Sequence, residues 1–582
     1  MVYPNLYSRH MVVVILLTIG FKVIPLANQI IKIIDFMYWF PFFSRPWGRT
    51  KQIISLACIC LLLLVSCAKS PQADNSGGSN NPRIIIGTTN KPRTLDPADA
   101  YETGSLGLIY NMSDRLYTYK AGSTDIQPQL ATELPKISAD GLTYTMALRQ
   151  GVVFHDGEKF NAAAMAFSLN RFIKNGGKPA FLLGDIIALV SSTGEYELTV
   201  KLKQPFAAFP SLLAFSGVCA VSPKAYKIGE GEFNPNNFVG TGPYKLSKFA
   251  TDKVQLDIFD KYWGEKPINQ GVTLQILSSG VNLYNAFRKK SIDVGGLSMD
   301  ADQIRSLQEK AKNGDWQAIA NSGSVISFMA VNRNQKPLDN PLVRQALAAM
   351  MDRKLLLERV LYGQGQPAYS MVPNTFDVYK PAFKEQYGSD GNAEKAKELL
   401  KQAGFSKEKP AKVELWYRSN VMTTGLTAIV MKAIAKKTMD GLLDIEINGI
   451  DSTSAYKYIP QGAYATTLLE WYPDFLDADN YVQPFLQCEK GSNEKGCEKG
   501  GSVSQGSFYY SDSMNKLIEA QRKEQDSTKR KQFFAEIQDI IAKDVPYIPL
   551  WQKQDYLFAQ NSVSGVKQDA SQLVIYGGIK KS

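Results

Sequence analysis

The chain has 582 residues, 44% of them hydrophobic and 21% charged, a balance that fits a folded protein and excludes disordered, collagen-like and silk-like chains. At about 150 residues per domain, this length allows roughly three or four units. The 66 Lys and Arg outnumber 55 acids for a net charge of +11, but the bases are scattered rather than gathered into arms or stripes, so no nucleic-acid partner is expected.

Two apolar stretches open the chain, at 11–36 and 53–65. Lys22, Pro25, Asn28 and Lys32 interrupt the first. The second follows Arg45, Arg49 and Lys51 and runs into Leu64, Val65, Ser66 and Cys67, which resembles a bacterial lipobox. Residues 1–66 therefore read as an N-terminal extension and a lipoprotein signal peptide, with acylated Cys67 as the first residue of the mature chain. Membrane lipid becomes a partner through that cysteine. An uncleaved transmembrane anchor is the alternative, weakened by the shortness of the run. Residues 67–82 are rich in Gly, Ser, Asn and Pro and read as a flexible tether.

Beyond the tether, short β-type runs alternate with amphipathic helices, the pattern of a mixed α/β protein. The β-branched run at 84–88 predicts a strand. Alternation at 142–148 predicts a half-buried strand, followed by a turn and a second short strand around Gly151, Val153, Phe154 and Asp156; EYELTVKL at 195–202 predicts another. Asn340 can cap a helix with Pro341 in its first turn, and Leu342, Val343, Ala346, Leu347, Met350 and Met351 recur at helical spacing. Its continuation through 354–361 stops at Gly363. Further helices are predicted at 392–403, 423–439 and 513–543.

Six cysteines (Cys58, Cys60, Cys67, Cys219, Cys488 and Cys497) lack paired CxxC spacing, and only His10 and His155 occur, so no metal or cofactor is expected. Outside the cytoplasm, Cys488 and Cys497 bracket the polar CEKGSNEKGC, and a disulfide is predicted between them. Cys219, in SGVCAV, reads as an inert buried thiol. There is no GxSxG and a single imidazole in the mature chain, so no enzymatic activity is expected. Nor is there a GxxxxGK(S/T) phosphate loop for ATP hydrolysis.

The motifs TLDP (94–97), QPQLATE (127–133), DGLTYTMALRQGVVFHD (140–156), GTGPY (240–244), FMAVN (328–332), DNPLVRQALAAMMDR (339–353), WYPDFLDADNY (471–481) and VPYIPLW (545–551) span nearly the whole mature chain. In their order and spacing the chain resembles the family 5 bacterial extracellular solute-binding proteins, the peptide-binding components of ABC importers. The resemblance implies a two-lobed periplasmic-binding-protein fold of type II, cluster C-like, with an extra α/β accessory subdomain. A composite lobe would use 83–125, 235–327 and 546–582, the accessory subdomain 126–234, and the second ligand lobe 328–545. It also implies a monomeric receptor, lipid-anchored on the periplasmic side of a bacterial membrane. Such a receptor traps a short peptide between closing lobes and delivers it to ABC permease subunits. Nickel complexes, haem and oligosaccharides stay open as solutes, and an envelope chaperone or sensor subunit as a role.

In peptide-binding relatives an aspartate three residues after a tryptophan meets the ligand's α-ammonium, and Trp471-Tyr472-Pro473-Asp474 keeps that spacing. Asp474 is thus the expected ammonium site, a surface turn acid being the alternative. Backbone near Glu470 and Tyr472 is expected to pair with an extended peptide as an added strand. Trp471 and Tyr472 wall the pocket or pack in the core. Tyr101, Glu102 and Thr103 occupy a stretch that reaches the cleft in relatives. Asp474, Asp477 and Asp479 do not fit a calcium loop: counted from Asp477, Val482 stands where glycine is needed and Cys488 where glutamate is expected.

Overall fold

The computed structural model of the chain describes residues 83–120, 122–296 and 299–582; the N-terminal extension, the signal segment, Cys67 and the whole tether lie outside the described residues. The β-branched run Ile84–Thr88 forms the expected strand within an eleven-stranded sheet. Across that sheet the order is Leu443–Ile450, Ala411–Arg418, Thr466–Trp471, Gln317–Val331, Tyr547–Ala559, Val294–Gly295, Ile84–Thr88, Val272–Ile276, Lys253–Ile258 and Tyr244–Phe249. Gly365–Pro367 pairs with Tyr547–Ala559 off this path.

Two of these strands are far longer than is usual: Gln317–Val331 has 15 residues and Tyr547–Ala559 has 13. They pair antiparallel in three registers: from Gln317 opposite Ala559 to Ser322 opposite Gln554, then Ile326 and Ser327 opposite Gln552 and Trp551, then from Phe328 opposite Pro549 to Ala330 opposite Tyr547. The first shift is a bulge that leaves residues 323–325 facing Lys553. At Gly323 a Cβ would lie 2.6 Å from the Lys553 carbonyl oxygen, so a side chain there has no room. The bulge separates a half-sheet built on Ile84–Thr88 and its neighbours from one built on Thr466–Trp471 and its neighbours.

A separate antiparallel sheet runs in the order Lys136–Ile137, Thr143–Ala147, Glu197–Leu202 and Ile187–Gly194, with helix Ala162–Lys174 against it. Tyr144 and Met146, alternate residues of one strand, are fully buried there. The second short strand expected around 151–156 reduces to a single bridge between Val153 and Lys159. Gly151 and Gly157, at φ 77° and 88°, turn the chain before a ladder can extend.

The helical periodicity at 340–361 resolves into Pro341–Ala349, capped by Asn340, and Arg353–Val360, capped by Asp352, whose carboxylate accepts the Leu355 amide at 2.9 Å. The run at 513–543 likewise divides into Asp512–Lys523 and Ser527–Asp544, because Asp526 accepts the Lys529 amide at 2.9 Å and starts a new helix. Helices Ala393–Gln402 and Met422–Thr438 match their expectations within a residue.

Three apolar clusters hold these layers among the described residues. One surrounds Ile84, Leu108, Tyr244, Val272 and Leu557; a smaller one joins Leu283, Phe287, Trp316 and Phe558. The largest runs from Tyr117, Tyr144 and Phe206 through Phe475 to Phe328, Leu347, Phe485 and Tyr547.

Candidate functional site

Strand Thr466–Trp471 buries its first four residues and brings Glu470 and Trp471 to its half-exposed end. On one side it pairs with Gln317–Val331 along its full length, from Val331 opposite Thr466 to Ile326 opposite Trp471. On the other side Ala411–Arg418 pairs with it only at Thr466 and Thr467, so from Leu468 to Trp471 that edge has no strand partner among the described residues.

Beyond the strand the chain turns through Tyr472 and Pro473 to Asp474. Asn480 fastens this turn: its Oδ1 accepts the Trp471 indole Nε1–H at 3.1 Å and the Asp474 amide at 3.0 Å. Asn480 lies in the short helical turn Ala478–Tyr481, capped by Asp477. Arg530 forks onto Asp477 with two bonds of 2.7 Å, while Asp479 accepts from Gln521 and pairs with Arg522 at 3.5 Å. Asp477 and Asp479 are thus engaged by the helices behind the loop. Only Asp474 of the three faces the cavity in front of it.

That cavity, of about 960 Å³, is lined by Tyr101, Glu102, Thr103, Glu470, Trp471, Tyr472 and Asp474, all seven residues expected at the ligand. Its lining carries four carboxylates, Glu102, Glu470, Asp474 and Asp555, and one ammonium, Lys553. Glu470 pairs with Arg418 at 3.3 Å and Glu102 with Arg93 at 3.7 Å. Asp474 has no ion pair among the described residues; the Tyr101 hydroxyl donates to its Oδ1 instead. Burial holds the Asp474 carboxyl above its ordinary range, and its bonds with Tyr101 and Asn480 offset part of that rise. Burial and the adjacent carboxylate push the Tyr101 phenol far up, so it remains a protonated donor.

Sequence reasoning missed Asn480 as the clamp of the turn, and Lys553, Asp555 and residues 570–574 as lining. Lys553, Asp555 and Leu557 reach the cavity at period two from one strand. Two charges in a strand whose first five residues are apolar were the available signal.

Elsewhere, Cys488 and Cys497 are disulfide-bonded across the hairpin Cys488–Ser492 and Gly496–Gly500, with Cα atoms 5.7 Å apart. Cys219 is buried, and burial pushes its thiol up to about 12. His155 is held between the Gly242 carbonyl, 3.0 Å from Nε2, and the Gly240 amide, 3.3 Å from Nδ1; burial lowers it to about 4. Among the described residues no group of three His, Cys, Asp or Glu side chains is placed to hold a metal ion.

Residues 125–493 match the family described as bacterial extracellular solute-binding proteins, family 5 Middle. The chain is 28% identical to the dipeptide-binding protein of Escherichia coli K12 over 491 residues, which cover 78% of this chain and 85% of that protein. It is 26% identical over 544 residues to heme-binding protein A of Haemophilus influenzae, covering 86% and 94% of the two chains. Its fold is similar to that of the ABC transporter-associated periplasmic binding protein DppA from Helicobacter pylori in complex with the peptide STSA. The TM-score is 0.69 at 24% identity, over 86% of this chain and 98% of that one.

Proposed function

The chain belongs to the bacterial extracellular solute-binding proteins, family 5, and on that premise we propose that it is the receptor of an ABC importer that captures short peptides between two closing lobes. It delivers them to permease subunits, works as a monomer without enzymatic activity, and is held on the periplasmic side of a bacterial membrane by acylated Cys67.

The observation that carries the peptide reading is the juxtaposition at the end of Thr466–Trp471. Among the described residues, a carboxylate without a cationic partner, on Asp474, stands three residues beyond a strand edge that has no strand partner from Leu468 to Trp471. A peptide offers the complement of both: an ammonium for the carboxylate and, next to it, amides for the open edge. Main-chain pairing ignores side-chain identity, which lets one receptor accept many sequences. Glu470 and Trp471 supply that edge, Tyr472 and Trp471 the wall, and Tyr101, Glu102 and Thr103 the facing side.

Haem is the second reading, favoured by the Haemophilus influenzae relative. The described lining contains no histidine, methionine or cysteine as an axial ligand, tyrosine being the one usual haem ligand type present, and its four carboxylates against one ammonium oppose a pair of propionates. The test is native mass spectrometry of protein purified without denaturation. A mixed population of short peptides is the expected release; a single tetrapyrrole or sugar would overturn the reading.

A further inference from the structure

Lys553 is the one cationic side chain in the described lining. Its acidic neighbours are engaged elsewhere: Glu470 pairs with Arg418, and Asp555 accepts the Gln572 side-chain amide. Among the described residues no salt bridge occupies the Lys553 ammonium, and the Tyr472 hydroxyl within its hydrogen-bonding reach belongs to the same lining. Burial works against its charge, but Tyr472, Asp555 and Glu470 more than offset that, and the group is held above its ordinary value. It is therefore a retained ammonium that opens onto the cavity.

Its backbone position is also distinctive. Lys553 is the residue opposite the bulge at 323–325, where the two long strands change register, and Ser324 of the bulge lines the same cavity. We propose that Lys553 receives the terminal carboxylate of the ligand, so that the cavity is built for a zwitterionic chain with its ammonium at Asp474. The carboxylate then lies at the strand pair that joins the half-sheets, where occupancy bears directly on their relative setting. This assignment rests on the peptide reading. An ammonium that merely balanced nearby acids would be indifferent to the charge at the ligand's C-terminus.

Calorimetry with alanine peptides of two to five residues, each as free acid and as C-terminal amide, tests it. On the unmodified protein the free acid should bind about 30-fold or more tightly than the amide, the loss typical of leaving one member of a desolvated charge pair alone. Lys553→Met should erase that preference by weakening the acid alone, and Lys553→Arg should keep part of it. Equal binding of acid and amide, or a Lys553→Met variant that weakens both equally, overturns the assignment while leaving the peptide reading intact. Failure of the unmodified protein to bind any of the peptides overturns both. The acid and amide comparison needs no variant, so it decides the matter even where a substitution impairs folding.

Discussion

Asp474 is an acid in a setting that opposes its charge, with a phenol and an amide for company and no cation among the described residues. A buried carboxylate of this kind gains most from a ligand that brings the missing charge. Asp474→Ala should therefore cost a free-amine peptide roughly 30-fold to several thousand-fold in affinity by calorimetry. The same affinity in a folded variant would remove Asp474 from the site. Acidification should mimic the substitution. The carboxyl lies above the ordinary aspartate value of about 3.9, so peptide affinity should fall from a higher pH than that value, and Asp474→Asn should flatten the profile. The ligand-free protein should respond oppositely. A carboxyl raised in the folded state binds its proton more tightly there than in the unfolded chain, so its stabilising contribution is present at low pH and lost as pH rises through the folded value.

At the scale of elements, the loop at 567–574 is closed by Asp569, whose Oδ1 accepts the Leu573 amide at 3.0 Å while Oδ2 is buried with no hydrogen bond to it among the described residues. Burial pushes this carboxyl up to about 6, the Leu573 amide and Arg115 offsetting part of the rise. Below about 4 it is protonated in both states, and its favourable contribution disappears as pH rises through about 6. Asp569→Asn keeps an acceptor for Leu573 without the charge, so it should raise the melting temperature at pH 7.5 and change it little at pH 4; an equal shift at both would refute this origin. The hairpin at 488–500 is closed covalently instead. Removing the bridge with paired serine substitutions should destabilise by about 2.7 kcal/mol on the chain-entropy estimate for a ten-residue loop, read from denaturant midpoints. Helix starts were legible at Asn340 and Asn392, where a capping residue precedes the apolar period. They were missed at Asp352 and Asp526, because the helical pattern continues across both breaks and only the cap marks them. The wall at 470–474 was legible because one continuous motif forms it. Lys553 and 570–574 join it only through long-range strand pairing, so the alternation at 553, 555 and 557 does not by itself say which cavity those residues face.

For the molecule as a whole, the proposed closure must be favoured by contacts that join the segments around 101–207 to those around 474–522. The structure holds several besides the bond from Tyr101 to Asp474. The Leu476 amide donates to the Tyr119 hydroxyl at 2.9 Å, and the Ala207 amide to the Arg522 carbonyl at 2.7 Å. Phe206 meets Phe475 edge-on at 6.0 Å, with the Arg522 guanidinium 4.5 Å from its ring centre. Of these groups only Tyr101, Tyr119 and Asp474 line the cavity, so substituting Arg522 changes the lobe equilibrium without removing a ligand contact. Arg522→Gln keeps a donor for Asp479 and removes the cation over Phe206, a contact of about 2 kcal/mol where the pair is largely out of water. If closure and binding are one equilibrium, that loss appears as an affinity weaker by up to roughly 30-fold for every peptide, as the population arithmetic requires. Small-angle scattering should then show a more extended particle for the variant without peptide and the same envelope as the unmodified protein at saturation. An unmodified protein whose envelope is the same with and without saturating peptide would remove the hinge itself, since a solute can shift lobe positions only by gripping one arrangement better than the other.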